Sequence, residues 1–172
     1  MKKIAKFLTL GVAMLAFSTA TFGQVSATAL TSATIVSGLT ITNTGPLDFG
    51  TIVTGTAGTV TIAPNGTRTS TGTAVSTSNV GRAATFDVTG TAGLTYSIAI
   101  SPASLTITHA TLAGNTMTVN NFQSNPAAGN NGELDVNGEQ TISVGGVLTV
   151  GAAQVPGNYT NTSELTVTIN YN

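Results

Sequence analysis

The sequence contains no cysteine, no tryptophan and one histidine, and only 6% of its 172 positions are charged. An average soluble domain carries roughly 25%. Without cysteine there is no disulfide staple, no thiol nucleophile and no thiolate metal cage. Five basic residues against six acidic ones leave no material for a large patch of either sign. Three of the five cations, Lys2, Lys3 and Lys6, lie in the first six residues. Beyond them, Arg68 and Arg82 stand against Asp48, Asp87, Glu133, Asp135, Glu139 and Glu164, two against six, a balance of −4. Holding a phosphate backbone takes several Lys or Arg contacts, so nucleic-acid binding is excluded as an expectation. Docking to anionic lipid fails for the same reason.

What is present is threonine, 34 residues of it, with 20 glycines. Met1 to Lys6 is a short basic start, Phe7 to Phe17 is apolar, and small residues follow. That order reads as a bacterial-style secretory signal peptide over residues 1–23. The apolar run falls short of a membrane span of about 20 residues. Cleavage is expected after Ala20 or after Gly23, with Gly23 preferred and Gln24 as the new start. No cysteine offers a lipid anchor, and no second hydrophobic stretch closes the sequence. The product is expected in the periplasm, at the cell surface or outside the cell, with no integral membrane segment. With Lys2, Lys3 and Lys6 removed, no lysine remains for a Lys–Asn isopeptide bond.

The remaining 149 residues or so fit one domain. Its period is two: Val60-Ile62, Ala84-Phe86-Val88, Leu94-Tyr96-Ile98-Ile100, Leu105-Ile107, Met117-Val119, Ile142-Val144 and Leu165-Val167-Ile169-Tyr171. Thr, Ser, Asn or small residues fill most intervening positions, the pattern of half-buried strands. Turn chemistry separates them at Pro64-Asn65-Gly66, Asn79-Val80-Gly81, Asn131-Gly132, Asn137-Gly138 and Pro156-Gly157-Asn158, and Asn-Gly pairs suit type I′ hairpins. No amphipathic helix follows the signal. The pattern predicts an all-β, immunoglobulin-like or pilin-like β-sandwich of about nine or ten short antiparallel strands. A membrane barrel would need aromatic girdles, and after the signal only Phe49, Phe86, Phe122, Tyr96, Tyr159 and Tyr171 remain.

Three segments follow: a signal (1–23), a leader (24–36) and the sandwich (37–172). The stretch Gln24 to Ile41 reads as a mobile leader or an extra strand. Asn121 to Glu139, rich in Gly, Pro and Asn, reads as a long surface loop plus a tight hairpin.

The landmarks, in order, are Ala33-Thr34-Ile35-Val36, Leu47-Asp48-Phe49-Gly50-Thr51-Ile52, Asn65-Gly66-Thr67-Arg68, Ala84-Thr85-Phe86-Asp87-Val88, Met117-Thr118-Val119-Asn120-Asn121-Phe122, and Gln154-Val155-Pro156-Gly157-Asn158-Tyr159-Thr160 with the closing Leu165 to Asn172. This series resembles the secreted bacterial family called domain of unknown function 4402, over essentially the whole chain after the signal. More distantly, the L-x-F-G near the start and the P-G-x-Y-T close are similar to chaperone–usher pilus subunits of the spore-coat-protein-U type. That second resemblance implies an incomplete immunoglobulin-like fold completed by a neighbour's N-terminal strand. It implies a pairing strip at Leu165, Val167, Ile169 and the penultimate Tyr171. It also implies a donor strand with Val25, Ala27, Ala29, Ala33 and Ile35 as pocket-filling residues. The implied partners are further copies, other surface subunits and a periplasmic chaperone. The sequence departs from pilins in three ways: Tyr159 stands where a glycine fourteen from the end is expected, the leader residues are small, and the pilin cysteine pair is missing. The alternative is a leader that completes its own domain's sheet.

Candidate chemistry is thin. His109 ends a strand pattern with no nucleophile or acid marked by a local motif, and a surface position is expected. Asp48-Phe49-Gly50 matches a kinase magnesium motif in letters alone. Asp48 is expected to bond local backbone and Phe49 to lie in the core, with Gly50, Phe86 and Gly157 as further fold residues. Gly157-Asn158-Tyr159 resembles a tyrosine corner, in which the hydroxyl bonds back to backbone. The one metal candidate is calcium at Glu133, Asp135, Asn137 and Glu139, with half of the EF-hand spacing met and fewer than the 6–8 oxygen ligands calcium takes. The N-x-[ST] motifs at Asn65, Asn158 and Asn161 carry no glycan meaning behind a bacterial signal. No enzyme activity and no cofactor are expected. The predicted role is a non-catalytic secreted or surface structural protein, fimbria-like, associating through strand pairing. The alternative is a solitary adhesive or ligand-binding sandwich, with or without calcium.

Overall fold

A computed structural model describes residues 23–161 and 164–172 of the chain. The expected signal peptide lies, except for Gly23, outside the described residues. The chain divides into two units, Met1–Thr34 and Ile35–Asn172. In the first, residues 23–34 carry no strand.

The second unit is all-β among the described residues. Its thirteen strands are β1 (Thr40–Gly45), β2 (Ile52–Val53), β3 (Gly58–Ile62), β4 (Arg68–Thr71), β5 (Ala74–Val75), β6 (Ala84–Thr89), β7 (Thr95–Ser101), β8 (Ser104–His109), β9 (Thr116–Asn125), β10 (Gly129–Glu133), β11 (Glu139–Val150), β12 (Tyr159–Asn161) and β13 (Thr166–Tyr171). All seven alternating runs of the sequence are strands. The additional ones are short or polar, such as β2, β5 and β12, and have too few apolar residues for a visible period.

A curled eight-stranded sheet runs β1-β6-β11-β9-β8-β12, with β3 and β4 attached through β11. A second sheet runs β10-β7-β13, and β2 pairs with β5 alone. Together they form a β-sandwich. The organising element is β11, twelve residues long. Its first half, Glu139 to Val144, pairs with β6, and its second half, Gly146 to Val150, pairs with β3. Both halves pair with β9 on the other side. The handover falls at Gly145, where a Cβ would come within 2.1 Å of the Ile62 carbonyl oxygen. Only a residue without a side chain lets two strands share that edge.

Alternation along β11 buries Ile142, Val144, Leu148 and Val150, each burial stabilising by roughly 1.5–3 kcal/mol. The two halves nucleate two apolar clusters. Around Ile142 and Val144 gather Phe86, Val88, Tyr96, Ile98, Leu134 and Val167. Around Leu148 and Val150 gather Phe49, Val60, Ile62, Leu105, Met117 and Val119. The three-stranded sheet supplies side chains from β7 and β13 to the first cluster alone.

Three expectations need correction. The stretch from Asn121 to Glu139 is not a long loop: β9 continues through Asn125 and β10 follows at Gly129. Its Gly and Asn content hid both, because those strand residues are held by backbone pairing to β11 and β7 rather than by an apolar face. For the same reason Asn131-Gly132 is no turn. Gly132 pairs with Tyr96 inside β10, and the tyrosine ring lies where a Cβ would stand. The tight turn at Asn137-Gly138 is present, but Gly138 alone of the pair has positive φ (79°), so it is not type I′.

Candidate functional site

Five strands end the two larger sheets: β1, β4 and β12 in the large one, β10 and β13 in the small one. Their sequences are TITNTG, RTST, YTN, GNNGE and TVTINY. Arg68 and Glu133 are the charged residues among them.

An open groove of about 1170 Å³ lies under the second apolar cluster. Leu105, Ile107, Met117, Val119, Leu148 and Val150 line it, and all but Ile107 are buried members of the second cluster. It is also lined by residues 46–52 and 54 and by residues 154–161, 164 and 165. The volume exceeds the 300–1,000 Å³ of ordinary small-molecule pockets. Asp48 and Glu164 are its ionisable carboxyl groups.

One wall is hung on His109. This residue is buried, not at the surface as its strand-end position suggested. Its Nε2 lies 3.0 Å from the Pro156 carbonyl, and its Nδ1 accepts the N–H groups of Thr111 and Leu112 at 3.2 and 3.1 Å. These partners assign a neutral ring with the proton on Nε2. Tyr159 meets the ring edge-on at 5.1 Å between centroids. The Tyr159 hydroxyl donates to the Val155 carbonyl at 2.7 Å and accepts from Gln154 Nε2 at 2.9 Å, the contact of a corner clamp. Gly157 (φ 152°) lies against the imidazole, and a Cβ there would approach Nε2 to 2.0 Å. No local sequence motif connects His109 to Gly157, 48 positions away. The pairing of β8 with β12 and the bond of the Ala110 N–H to the Asn158 carbonyl bring them together.

The opposite wall is set by Asp48, Phe49 and Gly50. Asp48 Oδ1 accepts the Gly50 N–H at 2.8 Å, and its backbone pairs with Arg82. Phe49 is buried, and Gly50 has φ 72°. Arg68 donates to the carbonyls of Phe49, Asn79 and Ser76. The guanidinium thereby fastens three backbone segments, and no sequence signal marked it for that task. Phe86 is buried in the other cluster and also borders the groove.

The expected pairing residues are placed as follows. Val25, Ala27, Ala29 and Ala33 lie in the strandless stretch 23–34, and Ile35 is 96% exposed. Val167 is buried, and Leu165, Ile169 and Tyr171 are half-buried against the first cluster. The side chains of the C-terminal strip therefore pack into their own domain, and β13 is left with an outer backbone edge. The Tyr171 hydroxyl donates to the Ser37 carbonyl at 2.9 Å and accepts the Thr91 N–H at 2.8 Å. It pins the start of the body.

In the acidic loop, Asp135 Oδ1 accepts the N–H groups of Glu139 and Asn137 at 2.9 and 2.8 Å. These bonds, that to Glu139 foremost, hold its carboxyl below the usual 3.8. The oxygen caps its own turn, and among the described residues no three His, Asp or Glu side chains are grouped where a metal could sit. No helix among them is long and apolar enough to cross a membrane.

Residues 39–171 match the family described as Domain of unknown function (DUF4402). No curated protein and no solved structure matches the chain.

Proposed function

The chain belongs to the DUF4402 family, and from that premise we propose that it is a non-catalytic structural subunit of the bacterial surface, exported by its N-terminal signal and associating with copies of itself or with other surface subunits by pairing sheet edges. The observation that carries this reading is the state of those edges. Natural sheets protect exposed edges with Lys, Pro, bulges or inward charges, because unpaired N–H and C=O groups recruit other strands. Here β13, six residues long, carries no charge and no proline, while β12 is blunted by its length of three residues and β1 by one bulge near its end. A monomer with such an edge is at risk of aggregation, whereas a subunit that must pair has reason to keep it. The engagement of both His109 ring nitrogens by backbone supports a role without general-base chemistry,.

The test is a sheared surface fraction run on an SDS gel with and without boiling. Strand-paired copies are expected as a ladder in the unheated lane that collapses to monomer on boiling. A monomer band in both lanes refutes stable edge pairing.

A further inference from the structure

Strand β13 is the one unguarded sheet edge among the described residues. At the other ends, β12 has three residues, β1 carries a bulge, β4 opens with Arg68, and β10 holds Glu133 and slips register between Gly129 and Gly132. The separate strands β2 and β5 have two residues each. Short length, bulges and charges all hinder an added strand. β13 has six residues, regular pairing with β7 and none of these guards.

The direction of its main-chain groups follows from that pairing. The Asn172 N–H donates to the Thr95 carbonyl at 3.2 Å. Steps of two lead from there to the pairs Ser97–Asn170, Ala99–Thr168 and Ser101–Thr166. Hydrogen-bonded and non-bonded pairs alternate in an antiparallel ladder. The even-numbered residues of β13 therefore turn their N–H and C=O groups to β7, and Val167, Ile169 and Tyr171 turn theirs outward. Side chains alternate as well: Val167 is buried, Ile169 and Tyr171 are half-buried, and Thr166, Thr168 and Asn170 are exposed.

Such an edge is complementary to itself. With a second copy turned about a twofold axis through Thr168, Val167 meets the partner's Ile169, and Ile169 meets the partner's Val167. Both pairs present outward groups, so about four main-chain hydrogen bonds form between them. Parity is kept, so these side chains continue the apolar inner layer and cover the half-buried isoleucine. Thr168 stands opposite its own copy in a non-bonded pair, and no charge on the strand is set against its like,. A molecule with one open edge, among copies of itself, leaves none open only when that edge meets the same edge of another copy. Contacts of this isologous kind are the commonest among homo-oligomers.

We propose that β13 pairs antiparallel with β13 of a second copy about a twofold axis at Thr168, which joins the two β10-β7-β13 sheets into one. This rests on the edge-pairing reading and names the partner strand, its direction and its register. The pair is the first rung of the unheated ladder.

The cysteine-free chain allows a clean test. A disulfide needs Cα atoms within about 7 Å, and residues opposite in a non-bonded antiparallel pair lie about 4.5 Å apart. Full-length Thr168→Cys under mild oxidation is therefore expected to give a covalent dimer as its main non-reducing band. Thr166→Cys alone is expected to stay monomeric, because its own copy lies roughly 13 Å along the partner strand. Mixed with tagged Asn170→Cys, it is expected to form the heterodimer. Equal dimer yields from Thr168→Cys and Thr166→Cys would mark random collision and overturn the proposal. A monomeric Thr168→Cys beside an intact wild-type ladder overturns the pairing of β13 with itself and leaves edge pairing standing. A monomeric Thr168→Cys with no wild-type ladder removes both readings. Should the variant unfold, as judged by circular dichroism, amide exchange of the wild-type chain repeats the test. The Val167 and Ile169 N–H groups are expected to gain protection as protein concentration rises, and exchange independent of concentration overturns the pairing.

Discussion

Two residues show how tightly single positions are fixed. Gly132 carries no side chain because the Tyr96 ring occupies its place, 2.4 Å from where a Cβ would stand. Gly132→Ala must displace a fully buried ring or bend β10. Overpacking of this kind costs about 1–3 kcal/mol, so the melting temperature is expected to fall by several degrees; a fall under about one degree refutes the contact. The same tyrosine makes the alkaline limit of the fold predictable. Burial pushes the Tyr96 phenol from 10.0 up to about 12, because the phenolate would lose its water. Its hydroxyl donates to Gln140 Oε1. A raised folded pKa means that the folded state holds its proton longer. The contribution is therefore complete below pH 10 and is lost as pH rises through about 12,. Tyr96→Phe is expected to flatten that alkaline decline, and phenolate absorbance from Tyr96 should rise together with unfolding. A Tyr96 that ionises near pH 10 in an intact fold contradicts this.

At the scale of elements, edge pairing makes a prediction specific to one strand. Thr168 is exposed on β13, which ends the small sheet. Surface substitutions at such sites shift stability by about ±0.5 kcal/mol, yet a lysine on an edge strand blocks a partner strand. Thr168→Lys is expected to keep the melting temperature and abolish the unheated ladder. A ladder that persists unchanged takes β13 out of the contact. Elements also explain what was legible beforehand. Strands with an apolar face, such as β6, β7 and β11, were readable because water enforces a period of two on them. Strands β10 and β12 were not, because neighbours rather than side chains hold them. Of the candidate site, the C-terminal strip was visible as alternation. The groove was not, since Leu105, Met117 and Leu148 meet only after β8, β9 and β11 have paired. His109 was misplaced to the surface for the same reason, its cover arriving with Gly157 from β12's approach.

For the molecule as a whole, the scarcity of charge is the property that distinguishes kinds of association. Arg68 is occupied by three backbone carbonyls, which leaves Arg82 as the other cation of residues 24–172 against six carboxylates. Two copies of such a chain have almost no attractive ion pairs to form, and a net charge near −4 repels only weakly. Contacts built from main-chain hydrogen bonds and apolar burial are insensitive to screening, which shortens to a Debye length of about 3 Å at 1 M salt. The unheated ladder is therefore expected to persist unchanged from low salt to molar sodium chloride, and to strengthen in sulfate, which favours burial. Heat in SDS should remove it, because detergent coats the exposed strands once thermal opening frees them. Band intensities across a salt series decide the matter. A ladder that disperses in molar sodium chloride would show association held by charges, and strand pairing would then be the wrong mechanism for this molecule.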